Sequence, residues 1–511
     1  MTVVKKEEKI DALLDRRTIV IGTRWVALSR WLPLLITWPI TIALARILSP
    51  EDYGYLALVT VFTRFGRIVA EGGLSNTVVL GPELERGEYE TLHSLALTTF
   101  LAVGTVLCLA AWPLELVYRR EGMGVVILAL SFGFVLEGLS LVPTALMRRQ
   151  LRFKETAIAE ITRVVVEAAV SLTLALWGWR YWSLVVGYLC GASAGTITIG
   201  VRARLSLGRL RKSVIGKIRA SANKLLAAST TNFLAQSSDA SVGGLVVSVA
   251  QLGGYTYMAG LARSPIEKLS GIITYASASV FGSVRSSSDH VVNALLRITS
   301  VSALAMFPIL GGIAVVAGDL VPVALGPKWD EYILVLQILC IQSAILPLTS
   351  ALDNAMIATN GERTYALNGV LLLLLLPLAF LVLGHFYGAN GLALAWLVPQ
   401  PILIARRLQR LRHSIALPVR SWLGALSGPL VATIIMLAVV SIARNYGPIA
   451  QANSFARLLL SAGLGAALYL LLVLWLCKDQ LDWLARIPGT GAIGKLCEFG
   501  LQLRARFVAK M

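Results

Sequence analysis

The chain has 511 residues, 56% of them hydrophobic and 14% charged, with a formal net charge of +18 at pH 7. A soluble domain carries about 25% charged residues. This composition, with a mean hydropathy of +0.74, excludes an ordinary water-soluble fold and specifies a membrane protein.

A short charged lead-in, residues 1–21, comes first, with no cleavable signal peptide before the first span. Fourteen apolar stretches follow: 22–46, 55–79, 92–112, 123–145, 157–178, 181–201, 224–249, 254–281, 295–325, 331–357, 365–384, 388–405, 421–443 and 455–477. Each is near the ~20 residues that cross a bilayer as a helix. The ninth is expected to bend at Pro308 or at Gly311–Gly312. A basic tail, 478–511, closes the chain.

Placing both termini in the cytoplasm puts RRQLRFK (148–154), RARLSLGRLRKSVIGKIR (202–219), RRLQRLR (406–412) and the tail on the inside. The outward loops then hold only Arg46, Arg119, Arg120, Arg180, Lys328 and Arg444. This positive-inside bias orients the bundle and accounts for the net charge without nucleic acid. Anionic lipids are the expected partners of the basic inward loops.

The longest inward connection, 202–223, divides an N-lobe, 22–201, from a C-lobe, 224–410, and reads as a hinge. Residues 411–477 form two extra spans. ILSPEDYGYLALVTVFTRFGRIVAEGGLSN resembles VSVAQLGGYTYMAGLARSPIEKLSGIITYAS in the second half, in the same orientation six spans later. Two six-helix bundles related by an axis along the membrane normal are therefore expected.

Charge inside the spans marks the candidate site. Arg64, Arg67 and Glu71 stand at i, i+3 and i+7, one stripe of a helix. A charge at the bilayer centre costs ~2.5–3.5 kcal/mol even on lenient scales, so such residues face a bundle interior or a wet cavity. Span 1 adds Arg30, span 4 adds Glu137, and span 5 adds Glu160, Arg163 and Glu167 at the same spacing. In the second half, span 7 carries Asn232, Gln236 and Asp239, and span 8 carries Arg263, Glu267 and Lys268.

Two readings stay open. The charges are structural ion pairs, such as Arg30 with Glu71 or Glu160 and Arg67 with Glu167, or they line a functional cavity. Buried pairs often stabilise no better than hydrophobic packing, which favours the cavity. Arginine keeps its charge in any environment, and its planar fork matches phosphate oxygens. Arg30, Arg64, Arg67 and Arg263, with Asn232 and Gln236, are thus candidate ligands for an anionic headgroup. Glu71, Glu167 and Asp239 are candidate release or coupling groups. The cysteines show no metal spacing, and neither a metal nor a cofactor is expected.

LARILSPEDYGYLALVTVF (44–62), LRFKETAIAEI (151–161) and LALWGWRYWSLVVG (174–187) together resemble the polysaccharide transporter family of bacterial inner-membrane flippases. That family belongs to the multidrug/oligosaccharidyl-lipid/polysaccharide exporter superfamily. RIVAEGGLSN (67–76) resembles a stretch of the lipid II flippase subfamily whose basic residue and glutamate line the central cavity. These fall on Arg67 and Glu71, and the subfamily's Ser-Arg pair falls on Ser29–Arg30. In span 8 the sequence departs. The subfamily's arginine position is Gly260, five residues before Pro265, and Arg263 is the nearest substitute.

The resemblance implies an all-α fold with a V-shaped cavity that opens alternately to each side. It implies flipping of undecaprenyl-diphosphate-linked oligosaccharide units to the periplasmic leaflet, alongside the polysaccharide polymerase and export machinery. A cation-coupled small-molecule exporter of the same superfamily is the first alternative. A membrane polymerase is the second, although no Asp-x-Asp, histidine cluster or Ser/His/Asp set stands in the chain.

Overall fold

The computed structural model describes residues 35–81, 84–211, 237–283 and 288–477, with the isolated positions 32, 33, 214 and 480. For 267–283 the backbone alone is described. Arg30, Asn232 and Gln236 lie outside the described residues, as do the side chains of Glu267 and Lys268 and most of the basic hinge and tail.

Every regular element among the described residues is helical. In the first compact unit, Met1–Gly253, the helices are α1 (Leu35–Ile47), α2 (Pro50–Glu71), α3 (Leu74–Leu80), α4 (Arg86–Tyr118), α5 (Met123–Arg149), α6 (Phe153–Leu176) and α7 (Tyr181–Ala203). A short helix α8, residues 237–246, follows. The unit boundary falls inside α9 (Val249–Ser283). The second unit, Gly254–Met511, continues with α10 (Ser288–Ala324), α11 (Ile333–Ala358), α12 (Glu362–Ala395), α13 (Gln400–Ile415), α14 (Val419–Tyr446) and α15 (Ser454–Leu476).

Eight of the described helical stretches are long and apolar enough to span a membrane, so the chain is a multi-pass membrane protein. Helices α2 and α6 are not among them. They have the length, 22 and 24 residues, which is ~33–36 Å at 1.5 Å per residue against ~30 Å of hydrocarbon. What they lack is apolarity, because they carry the arginines and glutamates singled out above.

Two spans differ from expectation. The second breaks at Gly72 and Gly73, both with positive φ (51° and 78°), so α2 ends in a left-handed cap and α3 starts afresh. Arg149 at the end of α5 then donates to the carbonyls of Val78 and Gly81, at 2.8 and 2.9 Å, capping α3. The twelfth expected span, 388–405, is not one helix. The backbone turns at Gly388 (φ 57°, ψ −135°), and α12 stops at Ala395 before α13 begins.

In the first unit α6 and α7 pack side by side, as do α4 and α5, and α5 also meets α7. Without a hydrophobic drive between helices in lipid, close backbone approach supplies the packing, and small residues permit it. Gly187, Gly191 and Gly195 stand four residues apart on α7, against Ser171, Glu167 and Arg163 of α6. A Cβ on Gly191 would lie 2.6 Å from the Glu167 Cβ. The glycine seam thus presses α7 onto the back of the charged stripe of α6.

Prolines inside helices free the carbonyl four residues earlier, which must find another donor in lipid. Pro143, inside the continuous α5, leaves the Leu139 carbonyl without its helical donor, and that carbonyl meets Nε2 of buried His93 at 3.1 Å. Pro308, inside the continuous α10, leaves the Leu304 carbonyl likewise, and it accepts from the Tyr469 hydroxyl at 2.8 Å.

Within the second unit α10 packs against α11, α14 and α15. Asp319 on α10, 2% exposed, accepts from Arg444 of α14 at 2.6 Å and from Arg457 Nε of α15 at 2.9 Å. Asp353 on α11 forms a two-point pair with Arg407 of α13, at 2.7 and 3.0 Å. Both acids are held by arginines from neighbouring helices and act as clamps.

Candidate functional site

Five helices of the first unit each turn one stripe toward a common cavity of about 460 Å³. Helix α1 supplies Thr37 and Thr41. Helix α2 supplies Tyr53, Thr60, Thr63, Arg64 and Arg67, and α5 supplies Glu137. Helix α6 supplies Arg163, Glu167 and Ser171, and α7 supplies Tyr188. On α2 and α6 the lining positions recur mostly at three- and four-residue steps, so one face of each helix is turned to the cavity.

The first end of the stripe on α2 is fixed by its cap. Ser49 and Asp52 form a reciprocal capping box at the α2 start. Arg180, in the connection before α7, holds Glu51 at 3.0 Å and Asp52 at 3.1 Å. Asp52 beside it pushes the Arg180 guanidinium further up from its ordinary value. The α2 start and the α6–α7 turn are therefore joined at the end of the unit opposite Glu71.

The arginines in the cavity differ in how firmly they are held. Arg163 reaches Glu160 at 2.7 Å and Glu167 at 2.8 Å, one turn either way along its own helix. Arg67 meets Glu137 at 3.4 Å, and its side chain stays 57% exposed while that of Glu137 is 19% exposed. Tyr188 donates to the same carboxylate at 2.8 Å. Arg64 lines the cavity and makes no ion pair among the described residues.

Three cations, Arg64, Arg67 and Arg163, balance three carboxylates, Glu137, Glu160 and Glu167, in number, but not in place. Among the described residues the positive charge is uncompensated locally at Arg64 and loosely held at Arg67. An anion finds donors there, and the threonine hydroxyls of α1 and α2 add neutral polar contacts.

The partner of Arg67 is Glu137, not Glu167 as the pairing expected from the sequence had it. Glu167 is taken first by Arg163, four residues away on α6. Glu71 ends α2, half-buried, outside the cavity lining and with no ion pair among the described residues. Asp239 is buried in α8. In the second unit Arg263 stacks over the Trp396 ring at 5.0 Å, and the Trp396 indole N–H donates to Tyr255 at 2.7 Å. Tyr188 was not read from the sequence. A single tyrosine in the apolar run LVVGYLCG (184–191) gives no periodic signal, and the only hint was its polarity at mid-span. Among the described residues no group of three or more His, Cys, Asp or Glu side chains is placed to hold a metal.

Residues 43–334 match the family described as "Polysaccharide biosynthesis protein". The chain belongs to that family. The lipopolysaccharide biosynthesis protein WzxC of Escherichia coli (strain K12) is 25% identical over 404 residues, 76% of this chain and 79% of that protein. The succinoglycan biosynthesis transport protein ExoT of Rhizobium meliloti (strain 1021) is 21% identical over 479 residues, 90% of this chain and 94% of its own.

Solved structures share the fold of this polysaccharide biosynthesis family member. A lipid II flippase, MurJ, in its inward closed conformation superposes with a TM-score of 0.70 at 14% identity, covering 90% of this chain and 99% of the other. An inward-facing multidrug resistance MATE family transporter of the MOP superfamily gives 0.59 at 12% identity, covering 77% and 98%. Among its described residues the polysaccharide biosynthesis family member is thus helical throughout and shares the fold of these two transporters.

Proposed function

We propose that the protein is a flippase that carries undecaprenyl-diphosphate-linked oligosaccharide repeat units from the cytoplasmic to the periplasmic leaflet of the bacterial inner membrane. It is a transporter, not an enzyme. The observation that supports this most is the polar cavity of the first unit, where Arg64 stands without a carboxylate partner among the described residues and Arg67 is loosely paired. A diphosphate cannot cross ~30 Å of hydrocarbon bare, and guanidinium groups replace its hydration with charge-assisted hydrogen bonds. The relatives named for lipopolysaccharide and succinoglycan biosynthesis, and the fold shared with a lipid II flippase, support the same reading.

In this reading Arg30, Arg64, Arg67 and Arg263, with Asn232 and Gln236, receive the headgroup. Glu71, Glu167 and Asp239 release it or couple its movement to an ion. The lobes 22–201 and 224–410 alternate access about the hinge 202–223. Both termini lie in the cytoplasm, the basic inward loops lean on anionic lipids, and the product passes to a polysaccharide polymerase and export machinery.

The test is a host strain deleted for the gene. The expected result is loss of surface polysaccharide with lipid-linked repeat units accumulating in the inner leaflet. Unchanged polysaccharide and unchanged lipid intermediates, in a strain with no second flippase, move the assignment to small-molecule export.

A further inference from the structure

We propose that Tyr188 is a positioning residue that keeps Arg67 exchangeable, so that the cavity takes a diphosphate by swapping Glu137 for phosphate on Arg67. This deepens the flippase reading and rests on it.

The geometry carries the step. Tyr188 and Arg67 both address Oε1 of Glu137, the tyrosine hydroxyl at 2.8 Å and the Arg67 Nη1 at 3.4 Å. A charge-assisted N–H···O contact closes at ~2.7–2.9 Å when nothing competes. The short position is taken by Tyr188, and Arg67 is left at a distance. Arg67 is mostly exposed to the cavity, whereas Glu137 is largely enclosed. When an anion enters, the arginine turns toward it and the carboxylate stays.

The contrast with Arg163 shows why this exchange falls to Arg67. Arg163 is held by Glu160 and Glu167 at once, both at hydrogen-bond distance. Drawing it away would strand two acids. Drawing Arg67 away strands none, because Glu137 keeps the hydrogen bond from Tyr188. A buried carboxylate that loses its last donor bears its full desolvation cost. Tyr188 removes that cost from the binding step.

Without the hydroxyl, Arg67 is the one remaining partner of the Glu137 carboxylate among the described residues and is drawn in, so the anion binds more weakly. Without the carboxylate charge, Arg67 has no competitor, and the anion binds more tightly. Tyr188 acts only through Glu137, so removing its hydroxyl has no effect once that charge is gone.

The experiment measures binding of undecaprenyl diphosphate to the full-length protein in zwitterionic lipid nanodiscs. Tyr188→Phe is expected to weaken binding by about three- to ten-fold, the worth of one hydrogen bond. Glu137→Gln is expected to tighten it by a similar factor. Tyr188→Phe added to Glu137→Gln is expected to change nothing further. Equal loss from Tyr188→Phe in both backgrounds overturns the proposal, because the tyrosine then touches the ligand itself. So does wild-type affinity in Glu137→Gln, which stands as the measure if Tyr188→Phe does not fold. Wild-type affinity in Arg64→Ala/Arg67→Ala is a different failure, since it removes the diphosphate cavity and the flippase reading with it.

Discussion

Gly191 of α7 lies against Glu167 of α6 so closely that a methyl group on the glycine would sit 2.6 Å from the Glu167 Cβ. The contact places helix packing and the charged stripe on the same few residues. Gly191→Val forces α6 and α7 apart and carries Arg163 and Glu167 with them. Overpacking of this kind costs about 1–3 kcal/mol. Thermal unfolding in detergent should show a lowered midpoint for Gly191→Val and a smaller drop for Gly191→Ala, with export falling in the same order.

Arg163 is a structural cation in this account. Arg163→Ala leaves Glu160 and Glu167, two turns apart on one face of α6, with no counter-charge between them. Removing one partner of a fully buried pair costs ~3–5 kcal/mol, and with these side chains about a third exposed the loss is nearer ~1–3 kcal/mol. The triple variant Glu160→Gln/Arg163→Ala/Glu167→Gln removes the repulsion as well. Its thermal midpoint should recover most of what Arg163→Ala loses, and a midpoint as low as the single variant's would contradict the pairing.

In the second unit Asp319 is the stronger test of an ion pair. It is 2% exposed and holds Arg444 and Arg457 from two neighbouring helices. Asp319→Ala orphans both arginines and should destabilise the protein by ~3–5 kcal/mol. Asp319→Leu/Arg444→Met/Arg457→Met should recover a large part of it. Both are read from thermal unfolding of the purified protein.

His93 holds the first part of the basic connection against α4. Its Nδ1 meets the Ser206 carbonyl at 3.4 Å, beside bonds from Ser94 to Gly208 and from Thr91 to Arg209. His93→Ala removes the single ring N–H that the Leu139 and Ser206 carbonyls compete for, and leaving a buried carbonyl short of a donor costs about 1–3 kcal/mol. Limited trypsin digestion should then cut sooner at Arg204, Arg209 and Arg211 than in the wild type. An unchanged cleavage rate would mean the other bonds hold the segment alone.

The stripe on α2 was legible from the sequence because charge in an apolar run is costly, and the Arg64–Arg67 spacing names one helical face. The same logic found Glu137, Arg163 and Glu167. It failed on who pairs with whom. Spacing along one chain ranks Arg163 with Glu160 and Glu167 by simple proximity, but it says nothing of which α5 side chain α2 will meet. Tyr188 and the glycine seam behind it were invisible for a related reason. Gly187, Gly191 and Gly195 look like ordinary membrane-helix glycines until α6 is seen against them. The turn at Gly388 falls where one expected span gives way to the next, but the interruption between Ala395 and Gln400 was missed, because the apolar run continues through it and hydropathy does not register a break in the backbone.

The measurement that bears most directly on the account is complementation of the deletion strain by Arg64→Ala/Arg67→Ala, with expression and membrane insertion checked against wild type. The cavity assignment predicts a normally inserted protein that restores no surface polysaccharide and leaves lipid-linked repeat units on the cytoplasmic side. Wild-type polysaccharide from that variant would contradict it.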